Sequence, residues 1–168
     1  FPVTTNDPEA VIRASKVILP GVGHAVTAMK QLNRTGLTEL LPFLRVPVLV
    51  LCLVMQYMCD FTSEGNTRGL GIFPGNVEYI RGDCKVPHMG WNRIEQLKGP
   101  IFKGIPEKSW TYFVHSYCFP EKDYSVAITT YQQTFCAAIQ KDHFFGCQFH
   151  PEKSDKTGEK ILMNFLNL

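Results

Sequence analysis

Apolar positions fall in two rhythms along this chain. Lys16-Val-Ile-Leu19 is a short apolar run that ends in Pro20-Gly21-Val22-Gly23, the pattern of a strand entering a tight loop. Residues 25–41 then carry Val26, Met29, Leu32, Leu37, Leu40 and Leu41 at helical spacing, with Gly36 as an interruption. Pro47–Leu51 predicts a buried strand, followed by a helix from about Leu53 to Thr62 that Ser63-Glu-Gly-Asn66 closes. Beyond this point the rhythm shortens. Residues 71–80, 88–97, 110–117, 124–131 and 135–140 are rich in Val, Ile, Phe, Tyr and Trp and are separated by Gly and Pro, which predicts strands, several of them in hairpins. His143–Phe149 is a further apolar strand, and Ser154–Asn167 a final amphipathic helix with Ile161, Leu162, Phe165 and Leu166 on one side. Strand–helix–strand–helix followed by meandering strands predicts an α/β fold. Its expected form is a doubly wound, mostly parallel sheet with flanking helices and an added antiparallel portion. No repeat or linker divides residues 1–168, so a single domain is expected.

Composition narrows the function. The 168 residues are 45% apolar and 19% charged, with a net charge of +2 and no basic run, which gives no footprint for nucleic acid. No uninterrupted apolar stretch is long enough for a membrane span. None of the six cysteines forms a Cys-x-x-Cys pair, and several lie inside apolar runs, so free thiols in a reducing, cytoplasmic compartment are expected. Cys147 and His150 have a metal-like spacing but no second pair to complete a site; no metal or cofactor is expected.

Two strand ends carry reactive residues. Cys52 follows the run Val48–Leu51, and His150 follows His143–Phe149, with Pro151 and Glu152 behind it. α/β sheets place their sites at such ends. A thiol needs a base, because the thiolate is the attacking species, and a carboxylate two residues from an imidazole can orient it. Cys52, His150 and Glu152 therefore form a candidate triad. A surface turn is the competing reading of His-Pro-Glu alone. The amides of Pro20-Gly21-Val22-Gly23 suit a phosphate or an oxyanion, or a plain turn.

Taken together and in order, Leu19-Pro-Gly-Val-Gly23, Cys52-Leu-Val-Met-Gln56, Lys85-Val-Pro-His-Met-Gly-Trp-Asn92, Tyr112-Phe-Val-His-Ser-Tyr117 and Gln148-Phe-His-Pro-Glu-Lys-Ser154 are more specific than any one of them. The chain closely resembles the glutaminase subunits of imidazole glycerol phosphate synthase, within the class I glutamine amidotransferases, over nearly its whole length. The resemblance implies hydrolysis of glutamine to glutamate and ammonia, with the ammonia passed to a (β/α)₈-barrel cyclase subunit in histidine biosynthesis. It implies Cys52 as nucleophile, His150 as base and Glu152 as its orienting carboxylate. The oxyanion donors would be Val22, Gly23 and Leu53, and the substrate residues Gly21, Gln56, Ser116 and Tyr117. Trp91, Tyr112 and Lys153 would face the cyclase. His88 and His115 are expected to be hydrogen-bonded structural residues.

The chain departs from the family pattern twice. The family opens with a strand and a Gly-Asn loop ahead of the position matched by Phe1, so the domain is expected to lack that first strand and helix. The family's nucleophile turn also reads Gly-x-Cys-x-Gly, whereas Val50 and Val54 flank Cys52 here. Two β-branched residues at a turn that needs positive φ are expected to collide, relax the turn and displace the Leu53 amide. On this reading, glycine at both positions restores turnover at little net change in stability. A catalytically silent subunit of the same complex is the alternative.

Overall fold

A computed structural model describes residues 2–21 and 23–168. The chain opens with a short helix, α1 (Pro8–Arg13), whose first turn is capped by the Asp7 carboxylate on the Glu9 amide. Strand β1 (Val17–Leu19) follows. The apolar period over 25–41 becomes two helices, α2 (Ala25–Thr35) and α3 (Leu37–Leu40). Gly36 separates them at φ 73°, its amide closing on the carbonyls of Leu32 and Asn33, as glycine commonly ends a helix.

β2 (Val48–Leu51) is buried at all four positions and turns at Cys52 into α4 (Leu53–Tyr57). The helix expected to reach Thr62 stops here, and Cys59–Thr62 is a strand, β3. Long-range pairing overrides the local period. The Met58 carbonyl accepts from the amides of both Ile72 and Phe73, which brings the next strand, β5 (Phe73–Tyr79), alongside Cys59, Phe61 and Thr62 in parallel. A two-residue strand, β4 (Thr67–Arg68), lies between them in sequence.

The remaining strands are β6 (His88–Ile94), β7 (Ser109–His115), β8 (Tyr117–Cys118), β9 (Ser125–Tyr131), β10 (Gln133–Lys141) and β11 (Phe144–Cys147), and the chain closes with helix α5 (Asp155–Leu166). The principal sheet has the order β1-β2-β11-β10-β9. β1, β2 and β11 are parallel; β10 and β9 extend the sheet in antiparallel fashion. Among the described residues β1 pairs with β2 alone. A second sheet has the order β4-β3-β5-β8, and β6 and β7 form a separate hairpin.

Two cores lie on opposite faces of the principal sheet. Val48 and Val50 join one with α2, α3 and α4; Leu49 and Leu51 join the other with Ile161 and Phe165 of α5. Because successive side chains alternate faces and both faces are covered, β2 needs apolar residues throughout. Among the described residues, no helix is long and apolar enough to cross a membrane.

Candidate active site

β2 and β11 are direct neighbours running the same way, so the residues after their last turns emerge side by side. The register pairs Leu51 with Cys147, and the Cys52 amide donates to the Cys147 carbonyl at 2.7 Å. His150 follows three residues later. Its amide donates to the Tyr112 carbonyl at 2.9 Å, while the Tyr112 amide donates to Ser154 Oγ at 3.0 Å and that hydroxyl donates to the His150 carbonyl. The buried Ser154 and the backbone of Tyr112 thus grip the His150 turn from both sides.

Cys52 sits at φ 51° and ψ −112°, a conformation that side-chain-bearing residues rarely adopt. The anticipated relaxation does not occur. Val50 and Val54 are 0% and 2% exposed, and both pack in the core between the sheet and α2–α4. Room for Val54 comes from an adjacent loop: a Cβ on Gly21 would lie 2.3 Å from Val54 Cγ2. Glycine at 21 lets the loop after β1 approach a valine where the family pattern has glycine. Gly21 is accordingly not brought to the reactive cavity. It lines a different cavity, of about 690 Å³, beside Leu19, Val54 and Tyr57. Val22, expected as an oxyanion donor, lies outside the described residues.

The reactive cavity holds about 310 Å³ and is lined by Cys52 and His150 together with Gly23, Leu53, Gln56, Ser116 and Tyr117. Glu152 stands behind it, its Oε1 2.7 Å from His150 Nδ1. A carboxylate accepts, so His150 Nδ1 donates to it; Nε2 is buried and, among the described residues, without a partner. The Cys52 thiol donates to the Val114 carbonyl at 3.7 Å rather than to His150, and Gln148 Nε2 donates to the sulfur at 3.7 Å. Burial pushes the thiol up to about 12; the Leu53 amide opposes this, and the nearby carboxylates of Glu152 and Glu64 reinforce it.

Two further polar residues meet this cavity or the Cys52 sulfur and have no role assigned from the sequence. Glu64 lines the cavity, although Ser63-Glu-Gly-Asn66 read only as a helix stop. Gln148 is fully buried and reaches both Cys52 and Gln56, whose Nε2 donates to Gln148 Oε1 at 3.0 Å and to the Tyr117 carbonyl at 2.9 Å. Gln148 opens the motif that ends at Ser154, but a polar residue closing an apolar strand gave no role of its own.

Trp91, Tyr112 and Lys153 do meet on one surface. Trp91 is 51% exposed and packs edge-on against Tyr112 with ring centroids 6.0 Å apart. Lys153 Nζ stands 5.9 Å from the Tyr112 ring centroid. Met89 and Trp110 are also exposed on this hairpin, and Arg93 stacks on Trp110 at 4.8 Å. The expected hydrogen-bonding of His88 and His115 takes the form of a direct pair, 2.9 Å apart.

Comparison with known proteins decides the family. The whole chain, residues 1–168, matches the class-I glutamine amidotransferase family. The chain belongs to the class I glutamine amidotransferases. Within this family it falls among the HisH subunits of imidazole glycerol phosphate synthase. It is 48% identical to the HisH subunit of Bacteroides fragilis, over 99% of this chain and 86% of that one. Identity is 45% to the subunit of Colwellia psychrerythraea, over 100% of this chain and 83% of the relative. For that of Vibrio cholerae it is 41%, over 98% and 85%. Among solved structures, a glutamine amidotransferase superposes with a TM-score of 0.73 at 14% identity, over 97% of this chain and 83% of that one. Another from Thermotoga maritima gives 0.55 at 17%, over 91% and 63%. These two structures establish the class I amidotransferase fold.

Proposed function

We propose that this chain is the glutaminase subunit of an imidazole glycerol phosphate synthase, acting in histidine biosynthesis through Cys52, His150 and Glu152. One observation carries the assignment of residues: a thiol on a positive-φ turn shares a cavity with an imidazole whose Nδ1 proton is held by a carboxylate and whose Nε2 has no partner among the described residues. An imidazole oriented in this way leaves Nε2 to serve as the general base.

In the reaction the Cys52 sulfur attacks the side-chain amide carbon of L-glutamine, and His150 Nε2 takes the thiol proton as the S–C bond forms. A thiol held near 12 has almost no free thiolate at neutral pH, so proton transfer must accompany attack. The carbonyl oxygen becomes an oxyanion facing the amides of Leu53 and the Gly23 loop. His150 returns the proton to the departing nitrogen, which leaves as ammonia, and the Cys52 thioester remains. Water, deprotonated by the same imidazole, then releases glutamate. Glu64 offers a carboxylate to the α-ammonium of the amino acid, while Gln56 and the Ser116–Tyr117 backbone line its path. Ammonium binding there also offsets the charge that helps keep the thiol protonated.

The partner in this reading is a (β/α)₈-barrel cyclase subunit that takes the ammonia. Support comes from the exposed aromatic and cationic surface of Trp91, Tyr112 and Lys153, which adjoins the backbone that holds His150. Aromatic anchors of this type dominate interface energies. The alternative, a silent subunit, draws on the thiol's bond to the Val114 carbonyl. The test is mass spectrometry after exposure to a glutamine-analogue electrophile, with and without the cyclase. An adduct on Cys52 that Cys52→Ala abolishes is expected; no adduct in either condition establishes the silent reading.

A further inference from the structure

The mechanism leaves several buried polar groups unused, and their hydrogen bonds have only one consistent direction. His115 Nδ1 lies 2.7 Å from the Tyr117 carbonyl, which can only accept, so Nδ1 carries the proton and Nε2 is bare. That bare nitrogen lies 2.9 Å from His88 Nδ1, which must donate. His88 Nε2 is then an acceptor, and Asn92 Nδ2 reaches it at 3.3 Å. The Asn92 amide cannot be reversed, because its Oδ1 accepts from the Arg93 amide at 2.8 Å and its Nδ2 also donates to the Thr130 carbonyl. At the inner end the Tyr117 carbonyl also accepts from Gln56 Nε2, whose second proton goes to Gln148 Oε1. This orients Gln148 with its Nε2 toward the sulfur of Cys52.

We infer that Asn92, His88, His115, Gln56 and Gln148 form one hydrogen-bond network with every donor assigned, joined at the Tyr117 carbonyl that both His115 and Gln56 donate to, and running from behind the Trp91 surface to the Cys52 sulfur. In it Gln148 stabilises the thiolate, and the two histidines are positioning residues. The inference rests on Cys52 being the nucleophile.

Aromatic rings enclose the histidine pair. Tyr131 stacks on His88 with centroids 4.1 Å apart, Phe113 lies at 4.9 Å, and Phe135 meets the edge of His115 at 5.1 Å. Among the described residues, no carboxylate or cation bonds to either ring. Burial holds His88 down to about 4 and His115 to about 3, so both stay neutral and the direction stays fixed. Along β6 successive side chains alternate faces, so Asn92 anchors the inside of the hairpin while Trp91 faces out.

Two measurements on the complete chain test this. The first is the ¹⁵N–¹H correlation spectrum of labelled histidine side chains at pH 6.5. His88 and His115 are both expected in the less common Nδ1–H tautomer, neutral; either ring as Nε2–H, or charged, overturns the network. In Asn92→Asp an acceptor faces His88 Nε2, and that ring is expected to switch tautomer or become charged; an unchanged His88 spectrum also overturns it. The second measurement is the iodoacetamide alkylation rate of Cys52 at pH 8.5. Losing the Gln148 donor raises the thiol by about one pH unit, the scale of a hydrogen bond to a charged group. Tenfold less thiolate, partly offset by its greater nucleophilicity, slows alkylation about threefold. Gln148→Met and His115→Phe are expected to show this, while His115→Asn, which keeps a donor near the Tyr117 carbonyl, stays near wild type. Equal rates in all four chains overturn the inference. A wild type that accepts the glutamine-analogue electrophile at Cys52, with Gln148→Met equally fast, removes the network and leaves the glutaminase reading standing. A wild type that never reacts with that electrophile removes the reading instead, and the histidine spectrum still decides the network's donors.

Discussion

The contact between Gly21 and Val54 makes the nucleophile turn testable by a double-mutant cycle. Gly21→Ala adds a methyl group 2.3 Å from Val54 Cγ2, where carbon atoms prefer about 3.5–4.0 Å. Val54 is β-branched in a helix and strongly restricted at χ1, so Cγ2 cannot swing aside freely. Overpacking of this kind costs about 1–3 kcal/mol. Val54→Ala removes two buried carbons, about 1.6 kcal/mol at the usual value per methylene, with a further share for the cavity left behind. The double variant Gly21→Ala, Val54→Ala is expected to be more stable than the sum of the two losses by about 1–2 kcal/mol, because the new methyl occupies vacated space. Urea unfolding of the four chains at pH 7.5 measures the coupling. Additivity within about 0.3 kcal/mol refutes the contact. The same reasoning reverses the expectation for the elbow valines. Val50→Gly and Val54→Gly each remove three buried carbons and add glycine's backbone freedom, about 3 kcal/mol apiece. Together they lose about 6 kcal/mol, a large share of the stability of a typical domain. Since Cys52 already holds φ 51°, no gain in turnover is expected from either change; a gain of about a hundredfold, one oxyanion donor regained, sinks this account.

Other perturbations probe the base, the surface and the titration of the core. Glu152→Gln keeps the shape but removes the charge that fixes His150 Nδ1–H; turnover with saturating cyclase is expected to fall about 10²-fold or more, with glutamine KM little changed. Trp91→Ala is expected to weaken cyclase binding by more than about 1 kcal/mol; unchanged affinity by titration calorimetry removes Trp91 from the interface. His88 and His115 titrate near 4 and 3 in the fold, below the ordinary 6.5, so the unfolded chain binds their protons first. The stability they contribute is whole above pH 6.5 and is lost as pH falls toward 4; a urea midpoint that stays flat from pH 6.5 to 4.5 contradicts it.

What could be read from the chain follows from what is local in it. Val48–Leu51 and Phe144–Cys147 are unbroken apolar runs because both faces of the central sheet are covered, so the ends that carry Cys52 and His150 were visible. Gly36 broke the helical period where a left-handed residue was required. Pairing between distant segments left weaker traces. Cys59–Thr62 looked helical because its partner, Phe73–Val77, lies a loop away, and that pairing fixes its backbone. Glu64 and Gln148 reach the cavity and the sulfur only when separate elements come together; Glu64 does not stand out in its own segment, and Gln148 opens a motif without showing there what it touches. The elbow shows the limit most plainly. Judged within five residues, Val50-Leu-Cys-Leu-Val54 has bulk on both sides of a turn that requires positive φ. In the fold the valines face a core, and the space Val54 needs is supplied by the missing side chain of Gly21, thirty-three positions earlier on the neighbouring loop. A glycine absent from the turn has its steric counterpart across the sheet end, and the turn keeps the conformation that a nucleophile needs.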